Sequence, residues 1–393
     1  MKNMKRKIDP ALDTVTINSG GEEPLKVILY AREYAKCRPV LDEMGIKVAC
    51  EVPLINGYIV ELPVALLNKI ARRRHIKYIA ADLDVQAQMN IASRVVGVDE
   101  LHRKGVTGKG IGIAILDTGI YPHPDFTVPN NRIAAFVDIV NGRSAAYDDN
   151  GHGTFVSAVA AGNGHMSAGA YRGIAPDATI VSAKVMDAAG GGKTSDVLAA
   201  MQWVADNHEK YNIKVVSLSL GSSMGIAQRD DAMERAAEQL WRRGITVVVA
   251  AGNDGPEPAT ITVPGTSRIL LTVGASDDKR TLPIDDDEIA PFSSRGPVGT
   301  RSKPDVVAPG VNIMSAKADT AYLPGIRATK PTQYYTVMSG TSVSTPLVAG
   351  LAALLYQQTP DITPDGVKRE LMKNARALTG MRNNEGSGIV YMV

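Results

Sequence analysis

The chain is poor in cysteine, in charge of one sign and in long apolar runs. Only two of its 393 residues are cysteines, Cys37 and Cys50, both in the first quarter, so the remainder cannot depend on a disulfide. No stretch is long and apolar enough to cross a bilayer as a helix. The N-terminal stretch is basic and then polar, without the apolar segment of a secretory signal; a cytoplasmic location is the expectation, with export by an unusual route left open. A formal net charge of +2 and a pI near 8.3 give no field that would draw nucleic acid or an anionic membrane, and neither is expected as a partner. The basic runs Lys5 to Lys7 and Arg72 to Arg74 read as solvated faces. No H-E-x-x-H string occurs, which excludes that type of zinc protease.

What is present is a globular composition, 44% hydrophobic and 21% charged, at a length that allows one large and one small domain, each with its own core. From Leu25 to Ala81 the apolar pattern reads strand (LKVILY), amphipathic helix (Glu33 to Met44), strand (IKVACEV), strand (YIVEL), helix (Val64 to Arg73), strand (IKYIAA). This βαββαβ order predicts a ferredoxin-like α+β unit, an antiparallel sheet with two helices on one face. Residues 1–24 form an extension before it, and the polar stretch 82–93, without a clear period, reads as a linker. Residues 94–393 then alternate Val- and Ile-rich strands (Ile111 to Leu116, Thr179 to Lys184, Val215 to Leu220, Thr246 to Ala250, Ile269 to Val273) with helices (from Gly153, Thr194 to Asn207, Asp231 to Arg243). Such alternation predicts a three-layer α/β domain with a mostly parallel sheet, its active site at the carboxyl ends of the strands. Thr341 to Gln358 reads as a long apolar helix with Pro346 in its first turn, where a missing N–H does little harm.

Three segments carry chemistry. Asp117 follows the strand IGIAIL and precedes Thr118-Gly119; alone, this is also ordinary turn chemistry. His152 stands between Gly151 and Gly153 before an Ala- and Val-rich helix, a setting unlike that of a core histidine. Ser342 begins the long helix, where free N–H groups favour a developing negative charge, although Ser342 or Thr341 could equally be a plain N-cap. Together they are coherent: a hydroxyl needs a base, and the base needs a carboxylate to fix its tautomer. Asn253, after the strand TVVVA, could donate its side-chain amide to an oxyanion together with the Ser342 N–H.

With these residues in view, the segments AILDTGI, DDNGHGTFVSAVAAG, VSLSLGS, VVVAAGNDGP, PFSSRGP, KPDVVAPG and MSGTSVSTPLVAGLAALL closely resemble the motifs of the subtilisin-like serine proteases, the subtilase family, in its order Asp, His, Ser. The segments YPHPD and YDDNGHGT make it similar to the intracellular AprX-like alkaline serine proteases within that family. The resemblance implies a serine endopeptidase with Asp117, His152 and Ser342 as its triad and Asn253 as oxyanion donor, acting on peptides and proteins without a cofactor for the chemistry. It implies that Ser219, Leu220 and Gly221 on one side and Gly190, Gly191 and Gly192 on the other are the edges between which an extended substrate adds as a strand. It further implies that Ala251, Gly252 and Thr262 line the first specificity pocket; with no acidic residue there, apolar or medium-sized side chains are expected before the scissile bond. Leu220, Gly191 and Thr194 would shape a further apolar subsite. The unit 25–81 resembles the family's propeptide, which acts as chaperone and inhibitor of its own catalytic domain, and self-cleavage is expected between about Leu83 and Ile91. The βαββαβ pattern by itself fits a regulatory or adaptor domain equally well.

Departures from the family pattern are Phe155, where many relatives have a second histidine, and Ser344, where alanine is usual. The loop Gly162 to Gly169 lacks the Asn-rich pattern of a structural calcium site, so no metal site is assigned, and the acidic run Asp285 to Glu288 reads as a solvated surface loop. The C-terminal GSGIVYMV matches the pattern poorly. Gly221-Ser222-Ser223-Met224-Gly225 mimics an esterase nucleophile elbow, but that fold needs its histidine after the serine and all six histidines precede Ser223. A subtilisin-shaped binding or scaffold protein without catalysis is the alternative that sequence leaves open.

Overall fold

The computed structural model describes residues 7–9, 12, 24–81, 88–221, 231–326 and 333–392, and it divides into two compact units, Met1–Val85 and Gln86–Val393. The first unit contains β1 (Leu25–Ala31), α1 (Tyr34–Glu43), β2 (Lys47–Val52), β3 (Gly57–Leu62), α2 (Val64–Ala71) and β4 (Ile76–Ala81). Its four strands pair antiparallel in the order β2-β3-β1-β4, the ferredoxin-like arrangement. Alternation along β1 turns Val27 and Leu29 inward, where they meet Val60, Ile79, Leu41 from α1 and Ile70 from α2. Part of the extension belongs to this unit: Ile8 bridges to Ile79, and Lys7 Nζ donates to the carbonyls of Ala71 and Arg73, both at 3.2 Å.

The second unit opens with α3 (Gln88–Val95) and α4 (Val98–Arg103). The helix α3 occupies the latter part of the stretch read as a linker; residues 82–87, with most of the expected cleavage window, lie outside the described residues. There follow β5 (Gly112–Asp117), β6 (Ile133–Asp138), α5 (His152–Ala161), β7 (Thr179–Lys184), α6 (Thr194–Asn207), β8 (Ile213–Leu218), α7 (Ala232–Arg242), β9 (Thr246–Ala250), β10 (Leu271–Asp277), β11 (Glu288–Ile289), β12 (Val306–Pro309), β13 (Ile313–Ala316), β14 (Tyr335–Met338), α8 (Thr341–Gln358) and α9 (Pro364–Asn374). The main sheet runs β6-β7-β5-β8-β9-β10 with every pair parallel; β12 joins β10 in parallel and the two-residue β11 joins it antiparallel. All residues of β5 and β9 are buried, as strands covered on both faces require. The chain leaves β5 first to one side and then to the other, which opens a crevice at its carboxyl end.

The helix α8 is apolar around its whole circumference and correspondingly buried, from Thr341 to Tyr356 with few breaks. It runs from the carboxyl edge of the sheet to the amino edge: at its start Thr341 N donates to Asn253 Oδ1, beyond β9, and near its end the Tyr356 hydroxyl bonds Thr246 Oγ1 at the head of β9. The helix α5 runs the same way. Its first residues abut Gly119 just past β5, and beside its last, Arg132 donates to the carbonyls of both Ala161 and Ala178, the latter directly before β7. Phe155 is fully buried on α5, and Ser344 donates to the carbonyl of Ala308 at 2.9 Å, so both departures from the family pattern have packing roles.

The C-terminal segment is built into this unit. Ile389 bridges to Val307 and to Arg376, Met392 N donates to Val96 O, and the Arg376 guanidinium lies 3.5 Å from the centre of the Tyr391 ring. Gly388, at φ +113°, lies where a Cβ would run into the Arg376 carbonyl. The acidic run departs from its reading as solvated charge: Asp285, Asp286 and Glu288 are exposed, whereas Asp287 is buried because the β10–β11 ladder turns it inward. Among the described residues no helix is long and apolar enough to cross a membrane.

Candidate active site

Asp117 ends β5 and is 1% exposed. One of its oxygens, Oδ1, accepts from Thr118 N at 2.7 Å and contacts His152 Nδ1 at 2.8 Å. His152 is the first residue of α5, entered through Gly151 at φ +104°, and its ring is partly exposed. Burial alone would lower its pKa, but the Asp117 charge and hydrogen bond, with the charge of Asp148, outweigh this and raise it above 6.5. With Nδ1 bound to Asp117, Nε2 is left to act on a substrate or nucleophile.

Ser342 is the second residue of α8 and partly exposed. The helices α5 and α8 pack side by side, and a Cβ on Gly350 would lie 3.0 Å from the carbonyl of Ala160. Those two residues lie equally far beyond Ser342 and His152 along helices that run in the same sense, so Ser342 and His152 occupy matching positions at the carboxyl edge. Ser342 Oγ makes no hydrogen bond to His152 here; such contacts often tighten only when substrate is bound.

Asn253 lies just beyond β9. Its Oδ1 accepts from both Thr341 N and Thr341 Oγ1 at 2.9 Å, which fixes the amide with Nδ2 on the opposite side. A Cβ on Gly340 would stand 2.9 Å from Ser342 Oγ and 3.6 Å from Asn253 Nδ2. Hydroxyl and amide therefore border one small space, kept open because residue 340 has no side chain; its φ of +154° with ψ of 161° also belongs to glycine.

The segments expected to flank an extended substrate also converge. Gly190 to Gly192 form an exposed hairpin tip held by Asp187, whose Oδ1 accepts from Ala189 N and Gly191 N, and Asn150 Nδ2 donates to Ala188 O at 3.1 Å, which ties this tip to the His152 loop. The strand β8 ends at Leu218, two residues before the expected Leu220, which leaves Ser219 to Gly221 beyond its end. A cavity of about 350 Å³ is bounded by Gly190 to Gly192 and Thr194 on one side and Leu220 and Gly221 on the other. Beside it, a Cβ on Gly221 would stand 2.6 Å from Thr262 Oγ1, and one on Gly252 would stand 2.8 Å from Thr262 Oγ1 and from Ser294 Oγ. Thr262 N donates to Ala251 O at 2.9 Å. Gly221, Ala251, Gly252 and Thr262 thus form one wall, with Ser294 as a member that sequence reading omitted. Residues Ser222 to Gly225 of the esterase-like string lie outside the described residues.

Two buried side chains that sequence reading missed hold this constellation. Asp148, with no exposure, takes the Thr118 hydroxyl, Asn150 N and Gly151 N on Oδ1, and Thr154 N and its hydroxyl on Oδ2, so it joins the Asp117 loop to the start of α5. Lys184 donates to Thr118 O, Met186 O and Asp149 Oδ1 within 2.7 Å. By contrast His123 of YPHPD is fully buried, accepts Asp125 N on Nδ1 and bonds Tyr334 O through Nε2; both nitrogens are committed to structure.

The profile described as the subtilase family matches residues 108–388. The chain is 42% identical over 322 residues to a protein named serine protease AprX from Bacillus subtilis (strain 168), covering 79% of this chain and 72% of that protein. It is 33% identical over 354 residues to an alkaline protease of Alkalihalobacillus alcalophilus, covering 89% and 81% respectively. The solved structure titled Sphericase superposes with a TM-score of 0.61 at 28% identity, over 73% of this chain and 93% of that one.

Proposed function

The chain belongs to the subtilase family and is a subtilisin-like serine endopeptidase, and from that premise we propose that Asp117, His152 and Ser342 are its catalytic triad, with Asn253 and the Ser342 N–H as oxyanion donors. The observation that carries the assignment is the 2.8 Å contact between His152 Nδ1 and the buried Asp117 carboxylate, which leaves Nε2 to serve Ser342. In this mechanism Ser342 Oγ attacks the peptide carbonyl as its proton passes to His152 Nε2. The oxyanion is met by Asn253 Nδ2 and the backbone N–H. Collapse of the intermediate expels the amine, which takes the proton from His152, and water then hydrolyses the acyl-enzyme by the same steps in reverse.

A peptide adds as a strand between Gly190 to Gly192 and Ser219 to Gly221, and the wall of Gly221, Ala251, Gly252 and Thr262 selects apolar or medium-sized residues before the scissile bond. The unit 25–81 serves as an intramolecular inhibitor and folding template, a use that suits a large parallel sheet rich in contacts distant in sequence. It is released by self-cleavage between about Leu83 and Ile91. Since proteases bind substrate extended, the helical residues from Gln88 onward are the poorer part of that window. Two free cysteines and no disulfide among the described residues fit the reducing cytoplasm.

Hydrolysis of a chromogenic peptide tests the reading: His152→Ala and Ser342→Ala should each lower turnover by several powers of ten at unchanged folding. Wild-type turnover in either variant removes the triad.

A further inference from the structure

Beyond Asn253 the chain runs on from the wall of the first pocket to a second cavity, of about 460 Å³, whose lining includes Pro256, Pro258, Arg295, Met381, Arg382 and Asn383. The wall and this cavity share one backbone framework. Ser294 faces the wall: its N–H donates to Gly252 O and its Oγ accepts from Asp254 N, both at 3.0 Å. Arg295 follows directly, with its N–H on Thr260 Oγ1 and its carbonyl on Thr260 N, both at 2.9 Å. On the far side Gly296 N donates to Asn383 O at 2.8 Å, which holds the segment carrying Arg382 and Asn383 in place. The polar groups gathered here lack partners. Among the described residues neither the Arg295 nor the Arg382 guanidinium donates a hydrogen bond or pairs with a carboxylate, Arg295 Nε is buried without an acceptor, and Asn383 Oδ1 is buried without a donor. Such orphans are rare in folded chains and point to an absent partner. Met381, 57% exposed, and the two exposed prolines add apolar surface, and Glu257 between those prolines is exposed and pairs with neither arginine.

We propose that this cavity is an exosite for an acidic stretch of the substrate chain after the scissile bond, with Arg295 and Arg382 meeting its carboxylates and Asn383 Oδ1 accepting one of its backbone N–H groups; the proposal rests on the cleft as assigned above. The chemistry selects a peptide. An orphan donor, an orphan acceptor and two unpaired forks call for an occupant that accepts, donates and carries negative charge, and an acidic peptide segment does all three. Distance sets its position. Pro256 is three residues past Asn253, no more than about 11 Å along the chain, a span that roughly three to four extended substrate residues cover. Residues before the scissile bond are taken up by Gly190 to Gly192, Ser219 to Gly221 and the first-pocket wall, so the part of the substrate left for this cavity is the part that follows the bond.

The test uses the wild-type chain, Arg295→Gln and Arg382→Gln with two quenched-fluorescence peptides. The peptides are identical through the second residue after the scissile bond; one then continues with Asp and Glu and the other with Asn and Gln. At low salt the wild type should show a KM about tenfold lower for the acidic peptide, since two partly exposed ion pairs are each worth a few-fold, and in about 1 M salt the two values should converge. Each substitution should reduce the ratio of the two KM values to about threefold or less. The ratio is taken within one protein, so it does not depend on how much of a variant is folded, and Arg382→Gln carries the test should Arg295→Gln prevent folding. Equal KM values in the wild type, or a preference that both substitutions leave intact, overturn the exosite. Failure of the wild type to cleave either peptide counts against the triad instead. Fluorescence anisotropy of the same two peptides, labelled, then decides the exosite without hydrolysis: tighter binding of the acidic peptide that Arg295→Gln abolishes supports it, and equal binding overturns it.

Discussion

Replacing Asn253 separates chemistry from scaffolding. Its amide is oriented by two accepted hydrogen bonds, from Thr341 N and Thr341 Oγ1, both 2.9 Å, while Nδ2 borders the space beside Ser342 Oγ. Alanine removes the donor and leaves those Thr341 groups without their acceptor. Loss of one oxyanion donor corresponds to about 2.7–4 kcal/mol, or roughly two to three powers of ten in kcat, and the stranded donors of the 1% exposed Thr341 cost about 1–3 kcal/mol of stability. Asn253→Asp keeps the shape and the acceptor but turns an anionic oxygen toward the developing negative charge. It should therefore retain most of the stability and lose at least as much kcat as the alanine variant. Steady-state hydrolysis of one chromogenic peptide by both variants, beside their thermal unfolding, reads the two effects apart. An aspartate variant with near wild-type kcat would show that Nδ2 does not face the oxyanion, and the assignment would fail.

Four further outcomes follow from the geometry. His152 must be neutral to act as base and its pKa is raised, so kcat/KM should climb through a limb above pH 6.5, and Asp148→Asn, which removes one of the raising charges, should move that limb to lower pH; a limb at or below 6.5, unmoved by the substitution, contradicts this. The same raised pKa makes the Asp117–His152 pairing contribute to stability fully below pH 6.5 and fade as pH rises through the folded value. Freshly purified wild-type protein should show by intact mass a cut between about Leu83 and Ile91 that Ser342→Ala lacks, whereas two full-length masses end the self-processing proposal. In a mixed peptide library, cleavage should concentrate after apolar and medium-sized residues; enrichment after Arg or Lys would mean that the wall of Gly221, Ala251, Gly252 and Thr262 is not the first pocket.

Much of the fold was legible because its signals are local. The periods of β1 to β4, the apolar strands β5, β7 and β9 and the uninterrupted helix α8 fall within a residue or two of their expected bounds. Asp117, His152, Asn253 and Ser342 stand out because each sits at or just past a strand end, or at a helix start, with a glycine within two residues. What escaped depends on pairing between distant segments. Asp148 has no signature of its own within YDDNGHG, and its role emerges only where the Thr118 hydroxyl and Thr154 N close on it. Asp287 reads as solvated because its inward direction is set by the register of β11 on β10. The GSGIVYMV tail has no period of its own, since its place is defined by Val307, Arg376 and Val96. Helix α3 is short and polar, with weak propensity to set it apart from a linker.

The central claim is that Ser342 is a nucleophile activated by His152. Its most direct measurement is stoichiometric labelling of the processed protein by a fluorophosphonate or sulfonyl fluoride, with the modified residue located by peptide mass spectrometry. One label per chain is expected, on Ser342, formed at a rate that His152→Ala lowers by orders of magnitude and absent from Ser342→Ala. Labelling on another residue, or a Ser342 label formed equally fast without His152, would contradict it.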